Sequence, residues 1–455
     1  MITEPMPTPL APFPPGHFLL GNHHEFRGSA YHAMRDWQRI YGDLVRFRLG
    51  PVWFHLVSGP ELVEDILIAR PEQFVKMYSP ERPKGLALIL GQGLITSSGA
   101  LWKRQRRIIQ PQFVRSRVAE YADEMLAAGR CLLDRWQGLA PFTPVDIGEE
   151  MMRTTLEVIT RSMFNTSVLS QLDRLSPALW TVLQFAANNI SNPLRIPQWV
   201  PTRRNFGFRS AMRFLDDMVY GLIRERRNSA TPRDDLLGRL ICARDEDSGL
   251  PMDDRQIRDE VLTIFTAGHE TTALTLTWAC YLLACHPEAS ERLFAELETV
   301  LCHREPTFED LPKLVWTRAV LEETLRLYTP AAVMMRKNTG ETSLCGYRIP
   351  EGALMLINVA NIHRHPAYWD IPDSFRPERF LADQLKPRHR LAFMPFGAGH
   401  RVCVGNAFAL TESMLLLAMI AQHYRFNLLP GQTVEPEIQV TLRPKGGMRL
   451  AVSRR

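Results

Sequence analysis

Residues 396–405 read FGAGHRVCVG, from Phe396 to Gly405. Glycines, two cations and a cysteine crowd this stretch, so it either cradles a phosphate or presents a sulfur. The phosphate reading fails on spacing. A dinucleotide fingerprint needs G-x-G-x-x-G, whereas Gly397 and Gly399 are followed three residues on by Val402, and no G-K-[ST] is there for a P-loop. What remains is Cys403 at the mouth of a helix, because NAFALTESMLLLAMIAQHY after Gly405 reads as amphipathic. Amide N–H groups and the dipole at such an end, with Arg401 nearby, favour a thiolate. A nucleophilic cysteine would need a base and an oxyanion site, and no cysteine-hydrolase signature surrounds it. A metal-ligating cysteine has no second ligand at zinc spacing, so its metal would have to arrive in a prosthetic group; haem with an axial cysteine meets that requirement. A small buried core residue is the usual fate of a lone cysteine, but it leaves the flanking glycines and arginine unexplained.

Phe396, Gly397, Gly399, Arg401, Cys403 and Gly405 fill every defined position of F-G-x-G-x-R-x-C-x-G, and the stretch resembles the haem loop of the cytochrome P-450 family, the haem-thiolate monooxygenases. The resemblance implies haem b with Cys403 as its axial iron ligand and Phe396 in the loop beside it. It also implies close backbone approach to the sulfur at Gly405, and Arg401 on a haem propionate.

Other motifs follow in the order that family has them. Trp102 and Arg106, in SGALWKRQRRIIQPQF, stand four apart on one helix face and resemble the W-x-x-x-R helix that contacts a propionate; a core tryptophan beside a solvated arginine is the plain alternative. LTIFTAGHETTALTLTWACYLL reads as a buried helix with an acid in its middle, which costs free energy unless the acid is paired or used. H-E-x-x-H would need His at 273, where the chain has Ala, so zinc is rejected. Ala267 and Thr271 share a face with Glu270 beside them; the small pair Ala267-Gly268 admits a flat ligand, and the threonine can bond back to the i−4 carbonyl and open the helix. The stretch resembles A-G-x-[DE]-T-[TS], which implies that Ala267 lies against the haem, that Thr271 faces bound dioxygen and that Glu270 relays protons. Glu323 and Arg326 form E-x-x-R, and SFRPERF supplies Arg379; the resemblance implies a structural ion-pair network, against a surface pair worth a few tenths of a kcal/mol. Arg336 in PAAVMMRKN stands where the family has another propionate contact, or is an exposed strand cation.

The rest of the chain bounds the setting. With 455 residues, 45% hydrophobic and 23% charged, it can bury a large core, and no linker, low-complexity tract or repeat divides it; one domain over 1–455 is expected. Three-to-four spacing predicts helices over 117–138, 147–165, 207–228, 253–285 and 403–423, with a hairpin near 40–60 and strands near 346–363. The fold class is therefore mainly α with minor β, and the resemblance makes it a cytochrome P-450 fold, a large helical domain with small sheets enclosing haem. Residues 189–206 are a helix connection or a lid. A net charge of +5 without a Lys/Arg run argues against nucleic acid. Seven cysteines without a C-x-x-C pair read as reduced thiols of a cytoplasmic protein. The opening MITEPMPTPLAPFPPGHFLLGN reads as neither signal peptide nor anchor. His363 with His365, and His23 with His24, lack a third ligand, so no metal site is expected there.

The resemblance implies a soluble, bacterial, monomeric monooxygenase that takes dioxygen and two electrons, ultimately from NAD(P)H, through a separate ferredoxin or flavodoxin and its reductase. Lys103, Arg104, Arg107, Arg115, Arg117, Lys386, Arg388, Arg390 and His400 are the expected basic docking face. Residues 77–95, Phe265, Ala331, Ala332, Val333 and Leu442 are expected around a pocket for a lipophilic substrate, fatty acid or terpenoid; ordinary core packing is the alternative for each. Rival readings are a peroxide-driven or oxygen-independent haem-thiolate enzyme, which typically departs from the acid-threonine pair, and a non-enzymatic haem sensor.

Overall fold

The computed structural model describes residues 8–77, 83–164, 171–191, 196–229, 235–245, 249–384 and 388–455. Its main helices are α1 (His23–Tyr41), α2 (Gly99–Ile109), α3 (Ala122–Trp136), α4 (Ile147–Phe164), α5 (Leu172–Ser191), α6 (Arg203–Asn228), α7 (Asp254–Cys285), α8 (Pro287–Leu301), α9 (Val315–Leu327) and α10 (Asn406–His423). The strands are β1 (Leu44–Leu49), β2 (Val52–Val57), β3 (Phe74–Val75), β4 (Thr143–Asp146), β5 (Val333–Asn338), β6 (Thr342–Leu344), β7 (Tyr347–Ile349), β8 (Leu354–Asn358), β9 (Tyr424–Asn427), β10 (Pro436–Ile438), β11 (Leu442–Pro444) and β12 (Arg449–Arg454). The largest sheet runs β1-β2-β8-β5-β3. Only its β2–β8 pair is parallel. The architecture is the expected one, mainly α with small sheets.

Helix α7 is the axle. Asp253 caps it by accepting from the Gln256 N–H, and it is buried on nearly every side, its charged residues Arg258, Asp259, Glu260 and Glu270 included. It lies closest to α4: a Cβ on Gly268 would stand 2.5 Å from Ile159 Cδ1, Thr155 donates to the His269 carbonyl at 2.9 Å, and Phe164 and Phe265 stack at 4.6 Å. Gly268 therefore serves helix contact, where the sequence had suggested ligand access. Helix α10, expected to be amphipathic, is also buried nearly all round: α3, α7, α8 and α9 surround it. Gly129 of α3 admits Met419, whose Sδ would be 2.5 Å from a Cβ there.

The strand pattern over 346–363 yields β7 and β8, then the short helical turn Val359–Ile362, capped by Asn358, which accepts from the Asn361 N–H. Residues 189–206, a helix connection or a lid by sequence, run from the end of α5 into α6, and 192–195 lie outside the described residues.

Glu323 and Arg326 of α9 are wholly buried and joined by two bonds of 2.7 Å. Arg326 also donates to the carbonyls of His363, Pro372 and Ser374 at 2.9, 2.7 and 3.0 Å. Glu323 accepts from the Arg376 N–H at 2.8 Å, with Arg379 Nε at 3.4 Å. The network holds the stretch leading to the cysteine loop, and His363 completes it by accepting from the Met394 N–H at 2.9 Å. Burial, with Arg326 beside it, pushes the His363 pKa down to about 3. This histidine is neutral and structural.

Candidate functional site

The cysteine loop closes on itself. The Cys403 N–H donates to the Phe396 carbonyl at 2.9 Å, and the Gly397 N–H to the Met394 carbonyl at 2.9 Å. Gly399 has φ +70°, and a Cβ there would stand 2.3 Å from the Leu67 carbonyl oxygen, so only glycine fits. Gly405 differs: its N–H is directed at the Cys403 sulfur, while a Cβ would meet only the Phe113 ring at 3.9 Å.

Cys403 has an exposed side chain, yet its thiol is raised, chiefly by burial. Both hold if the sulfur lies on the wall of an interior space, accessible to a small sphere but enclosed by protein. The Gly405 N–H and Arg106 pull the other way without prevailing. Arg106 is thus the cation beside the sulfur, the part expected of Arg401, and the helix end does not by itself lower the thiol.

Arg106 donates to the Val402 carbonyl at 2.7 Å and tethers α2 to the loop. Trp102 reaches the site through Arg401, whose guanidinium lies 4.4 Å from the indole centroid. Arg401 donates to the Ser97 carbonyl at 2.8 Å. Arg336 is 5% exposed and bonds the neighbouring Met335 carbonyl at 2.9 Å. Burial pulls Arg336 to about 10. It pulls Arg401 to about 10 as well, with Arg336 and Arg106 adding to the effect. Lys76 falls to about 7 through burial and the same two arginines, Arg336 and Arg401.

Four cations, Lys76, Arg106, Arg336 and Arg401, therefore gather with no carboxylate among their ion pairs in the described residues. Such a cluster is costly unless an anion joins it. A prosthetic group with two carboxylates beside a single sulfur ligand fits, since the described residues hold no group of three or more His, Cys, Asp or Glu able to bind a bare metal ion. The haem reading passes this test. Lys76 escaped the sequence reading because it belongs to no motif; only folding brings β3 and β5 alongside the loop.

On α7, Ala267, Gly268 and Thr271 keep partial exposure within an otherwise buried run. Thr271 Oγ1 donates to the Ala267 carbonyl at 2.8 Å, the expected back-bond, although the helix continues unbroken. Glu270 is placed differently from a free relay. It is 2% exposed, accepts from Thr441 Oγ1 at 2.8 Å and pairs with Arg443 on β11. A second acid was missed. Glu412 on α10 is wholly buried, and burial raises it well above the carboxylate range. Thr272 lies near enough to offset this slightly, though neither carboxyl oxygen makes a well-formed hydrogen bond. Burial thus favours the protonated form of Glu412. An acid inside the apolar run ALTESMLLLAM was the available signal.

The expected pocket is partly corrected. Phe265 stacks on Phe164, and Ala332 and Leu442 pack into a core cluster with Tyr31 and Ala360; all three are at most 2% exposed and belong to the core. Ala331 and Val333 retain exposure. Of residues 77–95, 78–82 lie outside the described residues, and the remainder docks on α7: the Gln92 N–H donates to Asp259 at 2.8 Å and the Leu94 N–H to Glu260 at 3.0 Å. Side chains at Gly91 and Gly93 would collide with Asp259 and Thr263.

Burial lifts Glu260 to about 8, Asp259 adding to it and the Leu94 N–H opposing. The folded value lies above the unfolded one, so the protonated acid's contribution is complete below the unfolded pKa of 4.5 and lost as pH rises to about 8. Thermal denaturation at pH 5 and pH 9 should show Glu260→Gln losing much less stability than wild type, a difference of several kcal/mol at about 1.4 kcal/mol per unit. Parallel curves would refute the assignment.

The basic docking face is thinner than expected. Arg104 and Arg107 approach Asp245, Arg117 pairs with Glu120, and Arg390 with Glu64. Arg388 lies over Trp369, and Lys386 is outside the described residues. His365 binds Asp43 at 3.0 Å, as a structural residue would.

Comparison with known proteins agrees with this geometry. The family model described as Cytochrome P450 matches residues 11–450. Cyclooctat-9-en-7-ol 5-monooxygenase of Streptomyces melanosporofaciens is 37% identical over 89% of this chain and 88% of that protein. Pentalenene oxygenase of Streptomyces avermitilis is 35% identical over 91% of each. The crystal structure of the cytochrome P450DA heme domain superposes with a TM-score of 0.88 at 27% identity, covering 98% of both chains.

Proposed function

This chain belongs to the cytochrome P450 family as a monooxygenase, and on that premise we propose that it hydroxylates or epoxidises a lipophilic, terpenoid-like molecule. Electrons come from NAD(P)H through a separate ferredoxin or flavodoxin system. The terpenoid class rests on the names of its relatives, a cyclooctat-9-en-7-ol 5-monooxygenase and a pentalenene oxygenase. No helix among the described residues is long and apolar enough to cross a membrane.

The observation that carries the haem reading is the Cys403 thiol set against a cluster of cations, Arg336 buried and Lys76, Arg106 and Arg401 half-buried, that lacks a carboxylate among the described residues. Arg106, Arg336, Arg401 and Lys76 would hold the propionates, and Trp102 braces Arg401. Haem held there would supply an oxygen-activating iron, with Cys403 as its sulfur donor. Ala267, small and half-buried, would leave room for the group on this side of α7. Thr271 commits its hydroxyl proton to the Ala267 carbonyl, so its oxygen presents lone pairs to the groove and accepts a hydrogen bond from water or a protonated oxygen there. Protons reach this turn from Glu270 once Arg443 releases it, and burial favours the protonated form of Glu412 near Thr272.

Thr271→Ala should leave haem content and the carbon-monoxide spectrum unchanged while product per electron falls and hydrogen peroxide rises, product formation dropping about a hundredfold, the lower end for loss of one positioned proton-handling group. Unchanged coupling would remove Thr271 from the proton path. Titrating the holoenzyme with cyclic terpenoids and with fatty acids, and following the haem absorption shift, tests the substrate class; a shift with fatty acids alone would overturn it.

A further inference from the structure

The C-terminal half of α7 bears a stripe of oxidisable side chains that the reading above leaves unused. Trp278, Tyr281 and Cys285 follow Thr271 by two to four turns and fall on one side of the helix, Trp278 about 10 Å along the axis from Thr271. Trp278 is wholly buried, and its indole N–H donates to the Leu442 carbonyl at 3.3 Å. Its ring meets Tyr281 edge-on, with centroids 5.8 Å apart, and lies flat on Tyr328 at 3.9 Å and 4°. Cys285 follows Tyr281 by four residues, so the two side chains share one face of the helix, and its thiol is half-buried at the helix end. Tyr328 is the poorer next station, because the Arg364 guanidinium sits 5.4 Å from its ring centroid and disfavours positive charge there.

We propose that Trp278, Tyr281 and Cys285 form a one-electron path that carries oxidising equivalents from the haem side of α7 to the Cys285 thiol, where a small external thiol discharges them. The path rests on the haem-thiolate reading. One electron leaves Trp278 for the oxidised haem site, while the indole keeps its N–H on the Leu442 carbonyl. Tyr281 refills the indole with an electron and releases its phenolic proton to solvent. The phenoxyl takes a hydrogen atom from the Cys285 S–H, and the sulfur radical takes one from the external thiol. Two passages convert two thiols into one disulfide, with two protons released and two electrons returned to the haem site. The chemistry suits a site that oxidises C–H bonds: with no substrate in reach, the equivalent leaves through a repairable sulfur instead of damaging the core.

The test uses holoenzyme whose carbon-monoxide spectrum shows a thiolate-ligated haem, treated with hydrogen peroxide without substrate. Radicals are followed by rapid-freeze EPR, and a nitrone spin trap is mapped by mass spectrometry. Wild type should show a tyrosyl signal and a trap adduct on Cys285. Trp278→Phe and Tyr281→Phe, which keep a packed ring, should lower that adduct to the level of Cys285→Ser and bleach the haem faster. An unchanged adduct in Tyr281→Phe, or adducts spread equally over the exposed Cys302 and Cys345, would overturn the path while leaving the haem reading intact. Holoenzyme without the thiolate spectrum would overturn the haem reading, and the path with it.

Discussion

Replacing Cys403 by serine should abolish oxygenation and remove the strongly red-shifted band of the reduced, carbon-monoxide-bound protein. The band reports a thiolate opposite the ligand, and serine at neutral pH supplies neither the charge nor the soft donor. The loop should survive the change, because its closure depends on the Cys403 N–H to the Phe396 carbonyl and on the left-handed Gly399, neither of which involves the sulfur. The cations are independent of it too, so Cys403→Ser should still take up haem weakly and show an unshifted band. A variant that keeps the shifted band would exclude Cys403 as the ligand. A wild-type protein with an unshifted band would remove the chemical basis of the whole functional reading.

Glu323→Gln should be the most damaging substitution away from the haem. It leaves Arg326, wholly buried, without its counter-charge, and breaking a buried pair costs about 3–5 kcal/mol, a large share of the roughly 5–15 kcal/mol that holds a domain folded. The damage should extend to the site, since Arg326 holds the carbonyls of His363, Pro372 and Ser374 and His363 holds Met394, just before the cysteine loop. Melting curves and haem content should fall together in Glu323→Gln. Arg379→Met should cost less, because Arg379 approaches Glu323 only at 3.4 Å and is partly exposed. Equal losses in the two variants, or a wild-type melting temperature in Glu323→Gln, would contradict this ranking.

The parts of this protein readable from its amino acids are those in which neighbours in sequence act together. The cysteine loop is a run of ten residues, the threonine back-bond spans one helical turn, and Glu323 with Arg326 spans another. The spacing of apolar residues predicted the helices that became α4, α6, α7 and α10, and motif order carried the family. Each feature depends on local geometry, which a short stretch specifies by itself.

Folding decided whatever depends on residues far apart in the chain. Lys76 joins Arg336 and Arg401 only because β3 pairs with β5. Glu270, an apparent free acid in the sequence, is claimed by Arg443 from the C-terminal hairpin. Glu412 is raised well above the carboxylate range because α10 is enclosed by four helices, and burial penalises its charge. Phe265, Ala332 and Leu442 looked apolar enough for a pocket but went to the core, since hydrophobicity says that a side chain leaves water, not which interior surface receives it. Electrostatic environment and pocket shape are sums over the whole fold, and no local pattern contains them.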